Sequence, residues 1–227
     1  MAAGIQVKGD HGVIQIDADY RNLVFISKHT FTTTTGGLIA DSSYGSISFT
    51  GRTTPVIAIR STMATTVMAA TIGSTSTFYI IAKGPVGQTF TVYLYDVPPP
   101  PSAHGVGLQV FDASGNIAFD SNWKPMVVSD AFSVPSSFLT ANGSSSWRTI
   151  PTGRQWAIVH SANTIRGRAA APGGMGSVTV IVRGVGFTYS GQTLSMEIYS
   201  LFQYSGAPDT DTLGIPGQYL AIDVTNL

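Results

Sequence analysis

A chain of 227 residues has room for two domains of about 110 residues each, or for one large β unit. Apolar residues make up 43%, enough for a core and too many for a disordered chain, while charged residues make up only 11%. Lys plus Arg and Asp plus Glu both count 12, giving zero net charge. That balance argues against nucleic acid, which demands clustered Lys and Arg, and against a membrane-surface role driven by basic charge. The absence of Cys excludes disulfides, thiolate chemistry and Cys-based metal sites. A surface this poor in charge carries its polarity on Ser, Thr, Gly, Asn and Gln, and neutral surfaces associate readily.

The N-terminus, Met1-Ala2-Ala3-Gly4, lacks the basic region and apolar run of an export signal. No stretch approaches the ~20 apolar residues of a membrane span, so a soluble chain without membrane insertion is expected. Residues 4–17 predict a hairpin turned at Lys8-Gly9-Asp10-His11-Gly12. Val56–Ile59 and Phe78–Ile81 read as strands, and Thr62–Ile72 has too many Thr residues for a helix. Phe90–Tyr95 is a further strand, followed by Pro98-Pro99-Pro100-Pro101, a stiff polyproline spacer of roughly 3 Å per residue. Leu108–Asp120 is a second hairpin, whose Asp112-Ala-Ser-Gly115 turn places Gly where a left-handed residue closes it. Trp156–Val159 and Val178–Val182 are strands, Ser205–Thr212 reads as a linker, and Ile215–Val224 as a last strand.

The two hairpins are alike. Residues 4–26 and 107–129 align without a gap at an offset of 103. Identities fall at Gly4/Gly107, Gln6/Gln109, Val7/Val110, Gly12/Gly115, Ile14/Ile117, Asp17/Asp120 and Val24/Val127. Thr50-Gly51-Arg52 recurs as Thr152-Gly153-Arg154, and Gly87-Gln88-Thr89 recurs as Gly191-Gln192-Thr193, with a similar strand after each Gly-Gln-Thr. The expectation is an all-β chain with two tandem copies of a jelly-roll-like β-sandwich, residues 1–97 and 107–204. A Pro-rich linker at 98–106 joins them, and a C-terminal strand extension occupies 205–227. In that extension Leu220, Ile222 and Val224 share one face and Tyr219 lies on the other. The strand must pair somewhere, so Tyr219, Leu220, Ile222 and Val224 are candidate contacts between subunits.

Candidate chemistry is sparse. The histidines His11, His29, His104 and His160 are not at metal-ligand spacing, so no metal and no cofactor are expected. Asp17 and Asp120 invite an acid/base reading, but each ends a hairpin strand where Asp starts a turn. Ala171–Gly176 is Gly-rich without the Lys-Ser/Thr of a phosphate loop. Tyr20-Arg21 and Trp123-Lys124 suit packing better than sugar stacking. Thr30–Thr35 and Asn142–Arg148 look like loop tips, and Trp147 is the candidate ligand-contact aromatic.

The hairpin Gly107-Leu-Gln-Val-Phe-Asp-Ala-Ser-Gly-Asn-Ile-Ala-Phe-Asp-Ser121, with its counterpart at Gly4-Ile-Gln-Val7, resembles the opening segment of small tail proteins of long-tailed bacteriophages. The resemblance covers about 20 residues in each half. It implies a non-enzymatic virion protein of the distal tail, in the tail tip, baseplate or fibre, assembled in the bacterial cytoplasm. Its implied partners are other tail proteins, further copies of itself and a host surface receptor. Duplication and the C-terminal extension depart from that pattern. Two other classes compete: a carbohydrate-binding adhesin or lectin-like module using Trp147, and a β-scaffold hydrolase needing two carboxylates about 5–10 Å apart.

Overall fold

The computed structural model describes residues 7–8, 14–16, 22–36, 42–98, 107–112, 114–140, 144–170, 178–206 and 215–227. Strands β1 (Val7–Lys8) and β2 (Ile14–Ile16) form a hairpin, followed by β3 (Val24–Thr32), β4 (Thr35–Gly36), β5 (Ser42–Thr50) and β6 (Val56–Arg60). Then come β7 (Thr65–Ile72), β8 (Thr75–Lys83) and β9 (Thr89–Asp96). A second hairpin of β10 (Gln109–Phe111) and β11 (Ile117–Asp120) leads to β12 (Val127–Val134). A 3-10 turn, Ser136–Thr140, precedes β13 (Ser144–Thr149), β14 (Trp156–Ala162) and β15 (Ile165–Ala170). The last strands are β16 (Val178–Ser190), β17 (Thr193–Gly206) and β18 (Gly217–Asp223). The protein is an all-β sandwich, and the described residues contain no α-helix.

Both main sheets draw strands from both halves of the chain. One runs β12-β18-β14-β6-β9-β3, the other β13-β17-β16-β7-β8-β5-β4 with β15 beside β16. The halves are joined where β6 pairs with β14, Ala58 opposite Val159 and Ile59 opposite Ile158. In the second sheet Phe187 lies opposite Thr65, and Thr66 Oγ1 donates to the Val185 carbonyl at 2.8 Å. This differs from two sandwiches held apart by a spacer: the halves share backbone hydrogen bonds and cannot separate without breaking both sheets. Residues 99–106, which include the rest of the proline run, lie outside the described residues.

The six-stranded sheet also curls until its edges touch. Val24 bridges Pro125, Phe25 N donates to Lys124 O at 2.8 Å, and Met126 N donates to Leu23 O at 2.8 Å. One face of this sheet therefore packs on the other sheet, while the opposite face encloses a core of its own. Between the sheets lie Ile57, Ile59, Ile80 and Leu94 in the N-terminal half and Trp156, Ile158, Phe187 and Leu194 in the C-terminal half. Inside the curl lie Ala58, Tyr95, Ala157, Val159 and Ile222, drawn from both halves. Val56-Ile-Ala-Ile59 and Trp156-Ala-Ile-Val159 are apolar without alternation because these central strands are buried on both faces.

Local registers match at the offset of 103. Val7 faces Ile16 and Lys8 faces Ile14, as Val110 faces Phe119 and Phe111 faces Ile117, each ladder shifting register at the same step. Val24 faces Asp96 with a register shift after Phe25, and Val127 faces Asp223 with one after Val128. The strand that sits where β9 sits is thus β18, not β17. The matching Gly-Gln-Thr triplets mislead because their connections differ. Gly191-Gln192 is a tight hairpin that ties β17 to β16 in one sheet. Gly87-Gln88 belongs to a longer connection that carries the chain from β8 in one sheet to β9 in the other.

Close approach at the junction makes one glycine indispensable. A Cβ on Gly186 of β16 would meet the Thr65 backbone nitrogen at 2.8 Å and the Tyr199 ring at 2.7 Å. Gly186→Ala is therefore expected to cost about 1–3 kcal/mol by overpacking. Equilibrium urea denaturation measures this, and an unchanged midpoint would show that the strands do not approach as described.

Candidate functional site

The hairpin that carries the resemblance is built by its own turn residues. Asp112 Oδ1 accepts from Ser114 N at 2.9 Å and Asn116 N at 2.8 Å, and Gly115 N donates to Asp112 O at 3.0 Å. Gly115 has φ 81°, where a β-branched side chain is strained. Gly115→Val is expected to destabilise this hairpin by about 1 kcal/mol or more. Because β10 and β11 form a sheet of their own, the loss should appear as faster amide exchange at Val110 and Phe119. Unchanged exchange there would refute the turn geometry. Gly12 and the first turn lie outside the described residues.

Asp120 closes the next turn. Its buried carboxylate accepts from Asn122 N at 2.8 Å, Asn122 Nδ2 at 2.9 Å and Gln109 Nε2 at 2.7 Å. These bonds, the Asn122 backbone N–H foremost, hold the carboxyl below its usual pKa range. A carboxylate so engaged serves the turn rather than proton transfer; Asp17 lies outside the described residues. Lys124 Nζ lies 5.9 Å from the Phe25 ring and donates to Asn226 O at 3.2 Å. Its aromatic-basic step therefore helps to close the curled sheet, while Tyr20 and Arg21 lie outside the described residues.

His29 Nε2 lies 2.8 Å from Ser27 Oγ. His160 is packed edge-on between Phe187 and Tyr219, with ring centroids 5.5 and 5.2 Å away. Asn163 Nδ2 donates to Val67 O, so its Oδ1 accepts from His160 Nδ1 at 3.1 Å. That leaves His160 Nε2 buried without a partner among the described residues, and burial pushes the imidazole pKa down to about 4. Arg60 lies over the Tyr189 ring at 5.8 Å, and Arg60 Nε and the Tyr189 hydroxyl are likewise buried without partners among the described residues. Buried polar atoms of this kind are places where ordered water binds. His11 and His104 lie outside the described residues, and no group of three or more His, Asp or Glu converges among the described ones.

The expected subunit contacts are placed elsewhere. Tyr219 (1% exposed), Ile222 (0%) and Val224 (1%) are core residues, and Leu220 is half-buried. They lie in or beside β18, which pairs with β12 on one side and β14 on the other, so both its edges and both its faces are taken within the chain. A strand in that position cannot reach a neighbouring subunit. Thr30–Thr35 is also no loop tip, since residues 30–32 end β3 and Thr33 is buried, accepting from Ser43 Oγ at 2.9 Å and Gln88 N at 3.0 Å. Trp147 sits in β13, at the register shift between Ser146 and Arg148, so the ligand-contact expectation concerns an edge-strand bulge.

Sequence reading missed the outward face of β5, β8 and β7, where Tyr44 and Tyr79 are exposed. Its signal is the alternation of Tyr44-Gly-Ser-Ile-Ser-Phe-Thr50, with Ile47 and Phe49 packed inward. Hydroxyls pair along this face, Ser48 with Thr77 at 2.8 Å and Thr50 with Thr75 at 3.0 Å. No protein-family model, curated protein or solved structure matches the chain.

Proposed function

We propose that the chain is a non-enzymatic structural subunit of the distal tail of a bacteriophage, in the tail tip, baseplate or fibre, acting in assembly or host attachment. The observation that carries this reading is the Gly-Leu/Ile-Gln-Val hairpin, present twice with the same register and the same bulge, at Val7–Ile16 and Val110–Phe119. The continuous sheets support it as well, because a part that transmits load gains from halves that share backbone hydrogen bonds. Its partners are then other tail proteins, further copies of itself and a host surface receptor, and its location the virion. Quantitative peptide mass spectrometry of purified particles, from cells that carry the gene, tests this. The chain is expected at a fixed stoichiometry with the other tail proteins, and its absence from particles would refute the reading. The competing carbohydrate-binding reading rests on Trp147: a glycan array on which wild type binds and Trp147→Ala does not would favour it.

A further inference from the structure

We propose that the outward face of β5, β8 and β7 is a self-association surface that receives the same face of a second copy of this chain. The register puts Tyr79 beside Met68 on β7, with Ala70 and Ile72 following along the same strand and Tyr44 diagonal to Tyr79 on β5. Tyr44 is 37% exposed, Tyr79 44% and Ile72 82%. An apolar stripe thus runs along β7 beside a hydroxyl ladder on β5 and β8. From Tyr44 to Thr50, Thr66 to Ile72 and Thr75 to Ile81, no outward position is charged. Lys83 and Glu197, on the same side at the junction of the halves, form an ion pair with each other.

Soluble proteins seldom leave a flat, uncharged sheet face open to water. Two other sheet surfaces are covered among the described residues. The six-stranded sheet encloses its own core, and Tyr199 and Leu201 pack over Gly184 and Gly186 on the outer side of β16.

A second copy fits this face for three reasons. A neutral face on a neutral chain meets itself without repulsion. Under a two-fold axis, apolar stripe meets apolar stripe and hydroxyl ladder meets hydroxyl ladder. The footprint, about 24 Å along the strands by about 15 Å across, is about 350 Å² before side-chain relief. Counted on both copies that is about 700 Å², below the roughly 1,200 Å² of a stable pair, so the contact is weak by itself and useful where many copies act together. A sugar fits less well, because the ladder hydroxyls Ser48, Thr77, Thr50 and Thr75 are already bonded to each other.

This contact deepens the subunit reading and rests on it for its purpose, but is measured by itself. In sedimentation velocity of the full chain from about 1 to 200 µM, wild type is expected to pass from monomer to dimer. Tyr79→Lys, which sets like charges against each other, is expected to raise the dissociation constant about 30-fold or more with an unchanged melt. Ala70→Glu serves the same purpose should Tyr79→Lys fold poorly. A dimer that both variants leave intact would overturn this face while leaving the subunit reading standing. A wild type monomeric throughout would overturn self-contact here, and neutral-glycan binding lost in Tyr79→Ala would reassign the face to a sugar. Co-purification with particles judges the subunit reading separately.

Discussion

Tyr219→Ala is expected to cost about 4 kcal/mol and to unfold the two halves in a single transition. The ring stacks on Phe132 at 5.6 Å and meets Phe187 at 4.7 Å, filling the core between the sheets. Its hydroxyl accepts from Thr164 N at 2.7 Å and donates to Thr164 Oγ1 at 3.0 Å. Tyr219→Phe keeps the ring and loses only these bonds, so it should cost about 1–2 kcal/mol. Urea denaturation followed by tryptophan fluorescence and by circular dichroism separates the possibilities. Because β6 and β14 join the halves, both signals should move together. Were β18 an arm reaching a neighbour, Tyr219→Ala would leave the fold intact and change only association.

Acidification should weaken the fold through His160. Its folded pKa of about 4 lies below the ordinary 6.5, so the unfolded chain takes up the proton first as pH falls. Stability from this group is complete above about pH 6.5, declines through the window from 6.5 to 4, and is lost below it. A gap of that size corresponds to about 3 kcal/mol. Asp120, whose pKa is lowered, adds its own loss only at still lower pH, below the ordinary carboxylate range. Urea midpoints at pH 7, 5.5 and 4 measure the slope. His160→Phe should start from lower stability, having lost the bond to Asn163, yet show a much flatter profile between pH 6.5 and 4. A variant as pH-dependent as wild type would show that another group titrates there.

Much of the fold was legible because local patterns determine strands and turns. The alternation in Leu108–Asp120 and the Asp112-to-Gly115 turn specify the hairpin without help from the rest of the chain. The offset of 103 residues relates the two small hairpins and the starts of β3 and β12, but it does not reach their partners, because β3 pairs with β9 while β12 pairs with β18 and not with β17. Partner choice was not legible. Gly87-Gln88-Thr89 and Gly191-Gln192-Thr193 look alike, yet the loop length before each decides which sheet the next strand joins. An offset of 103 residues sets β17, not β18, against β9, which leaves Tyr219-Leu-Ala-Ile222 without a counterpart. Its continuous apolar run, read like that of Val56–Ile59, marks a strand buried on both faces. The outward face around Tyr79 is not legible for a related reason: alternation shows which residues point outward, but only sheet order shows that they form one surface.

The central claim, a structural subunit of the distal tail, is tested most directly by position. Purified particles labelled with gold-conjugated antibody against this chain and viewed by electron microscopy report where it resides. Gold confined to the distal end of the tail is the predicted result. Intact particles that carry no label, while the same antibody detects the free chain in the lysate, would contradict it.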